Sequence, residues 1–277
     1  MPSANPARLA LLAIASMTLA ATPTLLASHA PAAALSIDED ESRAKALEVI
    51  HRYIDAIGGE DVIRAHTSMT QKGSFALPAA GLAGDMTVYA QAPNLLALKV
   101  DLPGVGQITS GYNGKVGWSN NPFEGATIME DQQLRDIQIQ ADMFNILTPE
   151  KYYDSITYEG EQTFEGQKVH AVKLDDDESS PTTQYYSVDS GLLVGSSSLQ
   201  SGNFGEVEVK SIVSDYKKFD DMLIATKTKQ VIGVQVIELT IDDVSFDKID
   251  PDVFALPPAI QALVDAQQPS DQPAQAP

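Results

Sequence analysis

Between Thr67 and Phe246 short runs of alternating apolar and polar residues follow one another, and helical spacing breaks the train once. In the clearest run, Leu82, Gly84, Met86, Val88 and Ala90 alternate with Ala83, Asp85, Thr87, Tyr89 and Gln91. That period of two is the mark of a strand with one buried face. Leu96, Leu98, Val100 and Leu102 repeat the apolar row opposite Lys99 and Asp101, and Ala92-Pro93-Asn94 is the turn between the two runs. Asn113-Gly114 predicts a tight type I′ hairpin, because both residues tolerate positive φ. Glu165-Gly166, Asp189-Ser190-Gly191, Ser201-Gly202-Asn203, Asp220-Asp221 and Gly233 mark further turns, and Ile237, Leu239 and Ile241 share one face of the last long run. Connections this short favour antiparallel neighbours, since parallel pairing needs a crossover of about a dozen residues. The pattern predicts one α+β domain over residues 36–258, with a single antiparallel sheet and helices against one of its faces.

The helices have their own signals. One should begin near Ser36-Ile37-Asp38, where Ser36 or Asp38 can cap the first turn, and run with Leu47, Ile50, Ile54 and Ile57 on one face until Gly58-Gly59 stops it. A short turn of helix follows over 60–65. The interruption in the strand train lies at about 129–153 and carries two apolar rows. Leu134, Ile137, Ala141 and Phe144 form one; Ile139, Met143 and Ile146 form another on roughly the opposite side. A surface helix normally shows one stripe, so two imply a helix covered on both sides or a lid that exposes one stripe to a ligand. Residues 259–277 are rich in Pro, Gln and Ala and read as a disordered tail, with at most one helical turn at Ile260–Val264.

Composition changes the picture in three ways. Residues 1–34 have the form of a secretory signal: Arg8, an apolar Leu9–Ala21, and Ala32-Ala33-Ala34 as a cleavage site before Leu35. Pro23, His29 and Pro31 interrupt the apolar stretch short of the roughly 20 residues a membrane span needs. The expected product is a cleaved periplasmic protein. The chain has no cysteine, which excludes disulfides, thiolate metal sites and a lipidated cysteine. Its net charge of −20 argues against nucleic acid as a partner.

Candidate chemistry is sparse. His51, His66 and His170 fall on separate elements without metal-site spacing, so no metal or other cofactor is expected. Asp175-Asp176-Asp177-Glu178 lacks the alternating ligands and central glycine of a calcium loop and reads as a solvated turn. No nucleophile elbow, phosphate loop or dinucleotide fingerprint occurs, and Ser196-Ser197-Ser198 has no histidine placed to activate it. Abundant carboxylates leave an acid–base pair open, but no catalytic residue stands out and a non-enzyme is the expectation. Trp118, the one tryptophan, follows the Asn113-Gly114 turn; core packing is its simplest role.

Three stretches carry a resemblance: YIDAIGGEDVIRAHTSMTQKGSFALP at 53–78, VYAQAPNLLALKVDLPGVGQITSGYNGKVGW at 88–118 and SDYKKFDDMLIATKT at 214–228. In order and spacing they resemble the LolA-like outer-membrane lipoprotein-sorting proteins, over roughly residues 44–257. The resemblance implies an incomplete antiparallel β-barrel whose concave apolar face is covered by helices, with a cavity for the acyl chains of a lipid or lipoprotein. It implies inner- and outer-membrane transfer proteins as candidate partners. The alternative function is an envelope-stress sensor or interaction module using the same pocket. From strand phase, the expected cavity lining is Met86, Val88, Leu96, Leu98, Val100, Trp118, Ile237 and Leu239, with Met143 and Phe144 reaching in from the insertion.

Overall fold

A computed structural model describes residues 38–176, 180–202 and 205–267. The expected signal segment 1–34 lies outside the described residues, as do Ser36, Asn203 and the acidic pair Asp177-Glu178.

Helix α1 spans Glu39–Ala56 and α2 spans Glu60–Ala65. Asp38 takes the N-cap position without a side-chain cap bond, and Glu39, Asp40 and Glu41 crowd the first turn, where negative charge suits the helix dipole. Ala46, Val49, Ile50 and Ile54 are buried along one face of α1, the periodicity the sequence shows. Burial of each such large aliphatic side chain stabilises the fold by about 1.5–3 kcal/mol. Gly58 has φ of 135°, and a Cβ there would lie 2.8 Å from the Asp221 carbonyl, so glycine is required both by conformation and by space.

Thirteen antiparallel strands follow: β1 Ser68–Leu77, β2 Leu82–Gln91, β3 Leu95–Leu102, β4 Gly106–Tyr112, β5 Gly117–Asn121, β6 Gly125–Ile128, β7 Ser155–Phe164, β8 Gln167–Asp175, β9 Thr182–Ser187, β10 Leu193–Gly202, β11 Gly205–Phe219, β12 Met222–Ile232 and β13 Gln235–Ser245. They form one sheet in the order β6-β5-β4-β3-β2-β1-β13-β12-β11-β10-β9-β8-β7, not closed into a barrel. Two meanders are thus joined by the pairing of β1 with β13, and the two edges are β6 and β7.

The sheet is strongly curled. Ile108 on β4 and Val209 on β11 belong to one buried cluster with Phe75, Met86, Val100 and Ile237, although five strands lie between them. The cluster runs from strand to strand along one face, and the helices and the insertion pack on that same face over β3–β4 and β7–β9, which makes it the inner, concave face of the incomplete barrel. The architecture is the incomplete barrel expected, with α1 and α2 packed on the β7–β9 part of the concave face. No helix among the described residues is long and apolar enough to cross a membrane.

Two expectations about local structure are corrected. Asn113-Gly114 does not make a two-residue turn. Gly114 has φ of 89°, but Asn113 is not in the positive-φ region; its Oδ1 accepts from Lys115 N at 3.1 Å and Val116 N at 2.9 Å, closing a four-residue loop. The side-chain cap offers the backbone an alternative to the I′ turn. The I′ signature falls instead at Glu165-Gly166, both at positive φ between the paired Phe164 and Gln167. The second correction concerns the tail: α4 spans Pro258–Gln267, where disorder was expected from 259 onward. Pro258 suits the first helical position, Ile260 is fully buried, and Gln261 Nε2 donates to Asp265 one turn on. One apolar anchor outweighed the polar composition, and α4 packs on β6; residues 268–277 lie outside the described residues.

Candidate functional site

The strand register decides which of the expected residues share a face. Met86 pairs with Val100, Val88 with Leu98 and Ala90 with Leu96. Phe75 on β1 faces Gly84 on one side and Leu239 on the other, which puts Leu239 and Ile237 on the Met86 face. Seven residues, Met86, Val88, Leu96, Leu98, Val100, Ile237 and Leu239, therefore lie on the concave face. Met86, Val100 and Ile237 are sealed within it, whereas Val88, Leu98 and Leu239 are half-buried around the cluster. Leu96 sits further along the face, against Tyr112, Met129, Leu134, Ile137 and Ala141.

Trp118 is on the opposite, convex face. It pairs with Gly111, which pairs with Ala97, which pairs with Tyr89. Its ring lies over Gly111, where an added Cβ would come within 2.7 Å of it. The even-numbered loop at 113–116 sets residues of opposite parity across from one another, so counting in twos from Tyr112 to Trp118 fails; Gly117, not Trp118, turns to the helical insertion, close to Ile137 and Leu134.

The insertion begins with helix α3, Asp131–Ala141, and continues through turns at Asn145–Leu147 and Pro149–Lys151. It links β6 to β7, the two edges of the sheet, so it must cross the open side of the concave face. Both apolar rows are covered. Leu134, Ile137 and Ala141 pack on Tyr112 and Leu96; Ile139 and Ile146 look into a cavity of about 230 Å³. Ile50 and Tyr53 of α1, Gln140, Asn145, Pro149, Tyr152, Tyr153, Leu174, Gln184, Tyr186 and Leu193 complete its wall. None of the ten expected lining residues is on its wall, Met143 and Phe144 included. Phe144 packs in the α1–β8 cluster with the Arg64 guanidinium 5.6 Å from its ring centre, and Met143 is half-buried beside it in sequence.

Polar contacts fasten this cover. Arg135 Nε donates to Asp176 Oδ2 at 2.7 Å and its Nη2 to the Tyr152 carbonyl at 3.1 Å. Asp176 is 3% exposed, so this part of the acidic run is no solvated turn. Asp142 accepts from Lys151 Nζ at 2.8 Å, Tyr152 Oη at 2.5 Å and Phe144 N at 2.9 Å. Burial opposes the Asp142 charge, but those bonds outweigh it and hold the carboxyl below its usual range. The Asp142 bond in turn pushes Lys151 up to about 12. Ser42 of α1 accepts from Tyr158 N at 3.0 Å, pinning the helix to the bulge of β7.

The cavity is unusual in its phenols. Burial pushes Tyr153 up to about 12, with the Asp176 and Asp136 charges adding to it. Burial also raises Tyr53, Tyr186 and the neighbouring Tyr216. Tyr186 Oη donates to Gln184 Oε1 at 2.5 Å and Tyr216 Oη to the Leu193 carbonyl at 2.8 Å, so these hydroxyls are satisfied by the wall itself. Sequence patterning missed Tyr153, Tyr186 and Gln184; a spatial signal alone could find them, because they come from the insertion and β9. The histidines stay apart: His66 stacks on Phe246 with centroids 3.7 Å apart, and His170 Nδ1 lies 2.9 Å from Tyr158 Oη.

No family model matches the sequence, and no curated protein matches it. Solved structures do. A DUF1329 family protein from Desulfovibrio piger superposes with a TM-score of 0.56 at 12% identity, over 77% of this chain and 97% of its own. A LolA superfamily protein from Nitrosomonas europaea gives 0.52 at 10% identity, over 76% and 97%. An outer membrane lipoprotein-sorting protein domain from Vibrio parahaemolyticus gives 0.52 at 12%, again over 76% and 97%. At these identities the likeness is one of fold, and it agrees with the hairpin and helix-end motifs of the sequence: the chain shares the half-barrel fold of these three proteins.

Proposed function

We propose that this protein is a carrier of the bacterial envelope that holds acyl chains of a lipid or lipoprotein against the concave face of its sheet. The observation that supports this best is the course of the insertion from one sheet edge to the other across the apolar face. It joins no strand ladder, so it can lift without breaking any inter-strand hydrogen bond. What opposes lifting is side-chain packing and the Arg135–Asp176 pair.

The magnitudes favour a cover that moves. The cavity of about 230 Å³ falls below the roughly 300–1,000 Å³ of drug-sized ligand sites, so a long chain must displace part of the wall. Each methylene moved out of water gains about 0.8 kcal/mol. A dozen of them outweigh the re-exposure of a few half-buried side chains such as Val88, Leu98, Leu239 and Ile139. Binding without polar contacts suits a carrier, because release then needs only that the cover close again. Lipoprotein sorting is the description of the Vibrio parahaemolyticus relative in fold; it supports the same cargo here, with export through the segment 1–34 and hand-over to membrane transfer proteins. No catalytic step is part of this reading.

Native mass spectrometry of protein recovered from the periplasm tests it. A bound mass that disappears on lipid extraction and returns with a long-chain fatty acid is expected. Protein that arrives without lipid and takes up none would overturn the carrier. Capture of an inner-membrane protein by such lipid-free material would point to the sensor instead.

A further inference from the structure

A second hollow, a cleft also of about 230 Å³, lies on the convex face beneath the segment that follows β13. That segment turns at Pro251–Phe254 and buries Ile249 and Phe254 against Ala97, Tyr89 and Leu95. Trp118 Nε1 and Thr109 Oγ1 on the wall of the cleft lack hydrogen-bond partners, but both are closed to water, so no occupant can reach them. The concave cavity presents the opposite case. Tyr153, Gln184 and Asn145 all line it. Tyr153 Oη has no hydrogen-bond partner, yet it is not among the atoms shut off from water. Gln184 accepts from Tyr186 through its amide oxygen, which leaves Nε2 unengaged. Asn145 donates Nδ2 to the Ile139 carbonyl at 2.8 Å, which leaves Oδ1 unengaged. These two atoms are not shut off either. The Tyr153 and Tyr186 hydroxyls are near enough to interact electrostatically, and Tyr186 bonds Gln184 at 2.5 Å, so Tyr153 and Gln184 belong to one polar cluster.

A few placed polar groups on an otherwise apolar wall set the orientation and identity of what binds there. Tyr153 Oη can donate and accept, Gln184 Nε2 only donates and Asn145 Oδ1 only accepts. A hydroxyl matches donors and acceptors alike, whereas an ester, which has no proton to give, matches only the donors. The same tyrosine reports which charge the cavity tolerates. Burial, joined by the Asp176 and Asp136 charges, opposes a negative oxygen at Tyr153 and pushes its pKa up to about 12. A carboxylate or phosphate set beside that oxygen meets the same opposition. The two cations close by, Arg135 and Lys151, are already paired with Asp176 and Asp142. A hollow of about 150 Å³ holds benzene, so one of about 230 Å³ holds a glycerol group, which also has six heavy atoms. We propose that the cavity takes the neutral, hydroxyl-bearing head of a glyceride, with its acyl chain continuing beneath the insertion. This rests on the carrier reading and names the class of its cargo.

Calorimetric titration of the lipid-free whole protein with three lauroyl lipids, each below its aggregation concentration, tests this. Monolaurin should bind most tightly. Methyl laurate, neutral but without hydroxyls, should bind about tenfold more weakly, for want of hydrogen bonds to the wall. Laurate should be weaker still, held by its chain with the carboxylate left outside the cavity. Tyr153→Phe removes a hydroxyl that bonds nothing within the protein, so the circular dichroism should stay native. It should weaken monolaurin about fivefold, the loss of one neutral hydrogen bond, and leave methyl laurate unchanged. Laurate or methyl laurate binding as tightly as monolaurin overturns the proposal and leaves the acyl carrier standing. So does a Tyr153→Phe variant with undiminished monolaurin affinity. Uptake of none of the three overturns the carrier and this site together.

Discussion

The two hollows have the same volume, about 230 Å³ each, and lie on opposite faces of one sheet. They differ in how their polar groups are treated. At the concave cavity Tyr186 and the neighbouring Tyr216 find partners in Gln184 and the Leu193 carbonyl, so these two hydroxyls are satisfied within the protein. In the convex cleft Trp118 Nε1 and Thr109 Oγ1 are left without partners. A hydroxyl satisfied within the protein plays no part in choosing a cargo, whereas the two unpartnered groups are shut within the packed wall, out of reach of an occupant of the cleft. Their covers differ too. The concave cover is held at both sheet edges and latched by an ion pair buried on its Asp176 side, whereas the convex cover is the segment after β13 resting on Ile249 and Phe254.

The largest effect expected is on the concave seal. Ile237→Ala should destabilise the protein by about 3 kcal/mol in urea unfolding, as a fully buried aliphatic residue with no room to collapse. A loss well under 1 kcal/mol would mean that the concave face is not the core. Next is the latch. Arg135 is partly exposed, which dilutes its charge, so Arg135→Ala should cost on the order of 1–3 kcal/mol, less than a fully buried pair. The loss should be local: faster hydrogen exchange over 131–153 and faster release of a bound fatty acid, with the convex cleft untouched. Uniform acceleration of exchange across all strands would show that the insertion is a structural brace, not a lid.

The phenols predict an alkaline weakness. Tyr153 titrates near 10 when unfolded and near 12 when folded, so its contribution is intact below pH 10 and is lost as pH rises through 12. Tyr53, Tyr186 and Tyr216 are shifted the same way. Unfolding midpoints should fall above pH 10, and Tyr153→Phe should flatten that fall; an unchanged slope in this variant would contradict the buried placement. Phe144→Ala should change fatty-acid affinity or release by a few fold with native circular dichroism, since the ring sits behind the cavity wall, not in it. The smallest effect is the most discriminating. Trp118 emission should stay constant when a fatty acid binds, because the indole is on the far face; a large shift would place the acyl chain in the convex cleft.

Strand existence, turn positions and the face of α1 were legible because they depend on periodicity within a single element. Leu82 to Ala90, Leu96 to Leu102 and Ile237 to Ile241 each declare a buried side without reference to anything else. Trp118 was misassigned because an even-numbered hairpin loop sets residues of opposite parity across from one another: Trp118 pairs with Gly111, not with the Tyr112 row, and a two-residue turn would have placed it on the same convex face. Phe144 followed the helical row of α3 on paper, but Ala141 ends that helix, and the Asp142 bonds turn the chain so that Ile146 takes the wall. α4 was hidden by composition, since a single buried Ile260 decides it.

By itself, the sequence determined that strands pair as antiparallel neighbours, that one face of each is apolar, and that an insertion with two apolar rows must be covered twice. These follow from local sterics and from the period of the side chains, which each segment carries alone. Only the tertiary structure decided that β1 and β13 join two meanders and that the insertion spans both edges. It alone set Arg135 against Asp176 and left Trp118 Nε1 and Thr109 Oγ1 without partners beneath the segment that follows β13. Those are facts about residues far apart in sequence, fixed by how the sheet curls to bury its concave face, and no local pattern encodes a distance between them.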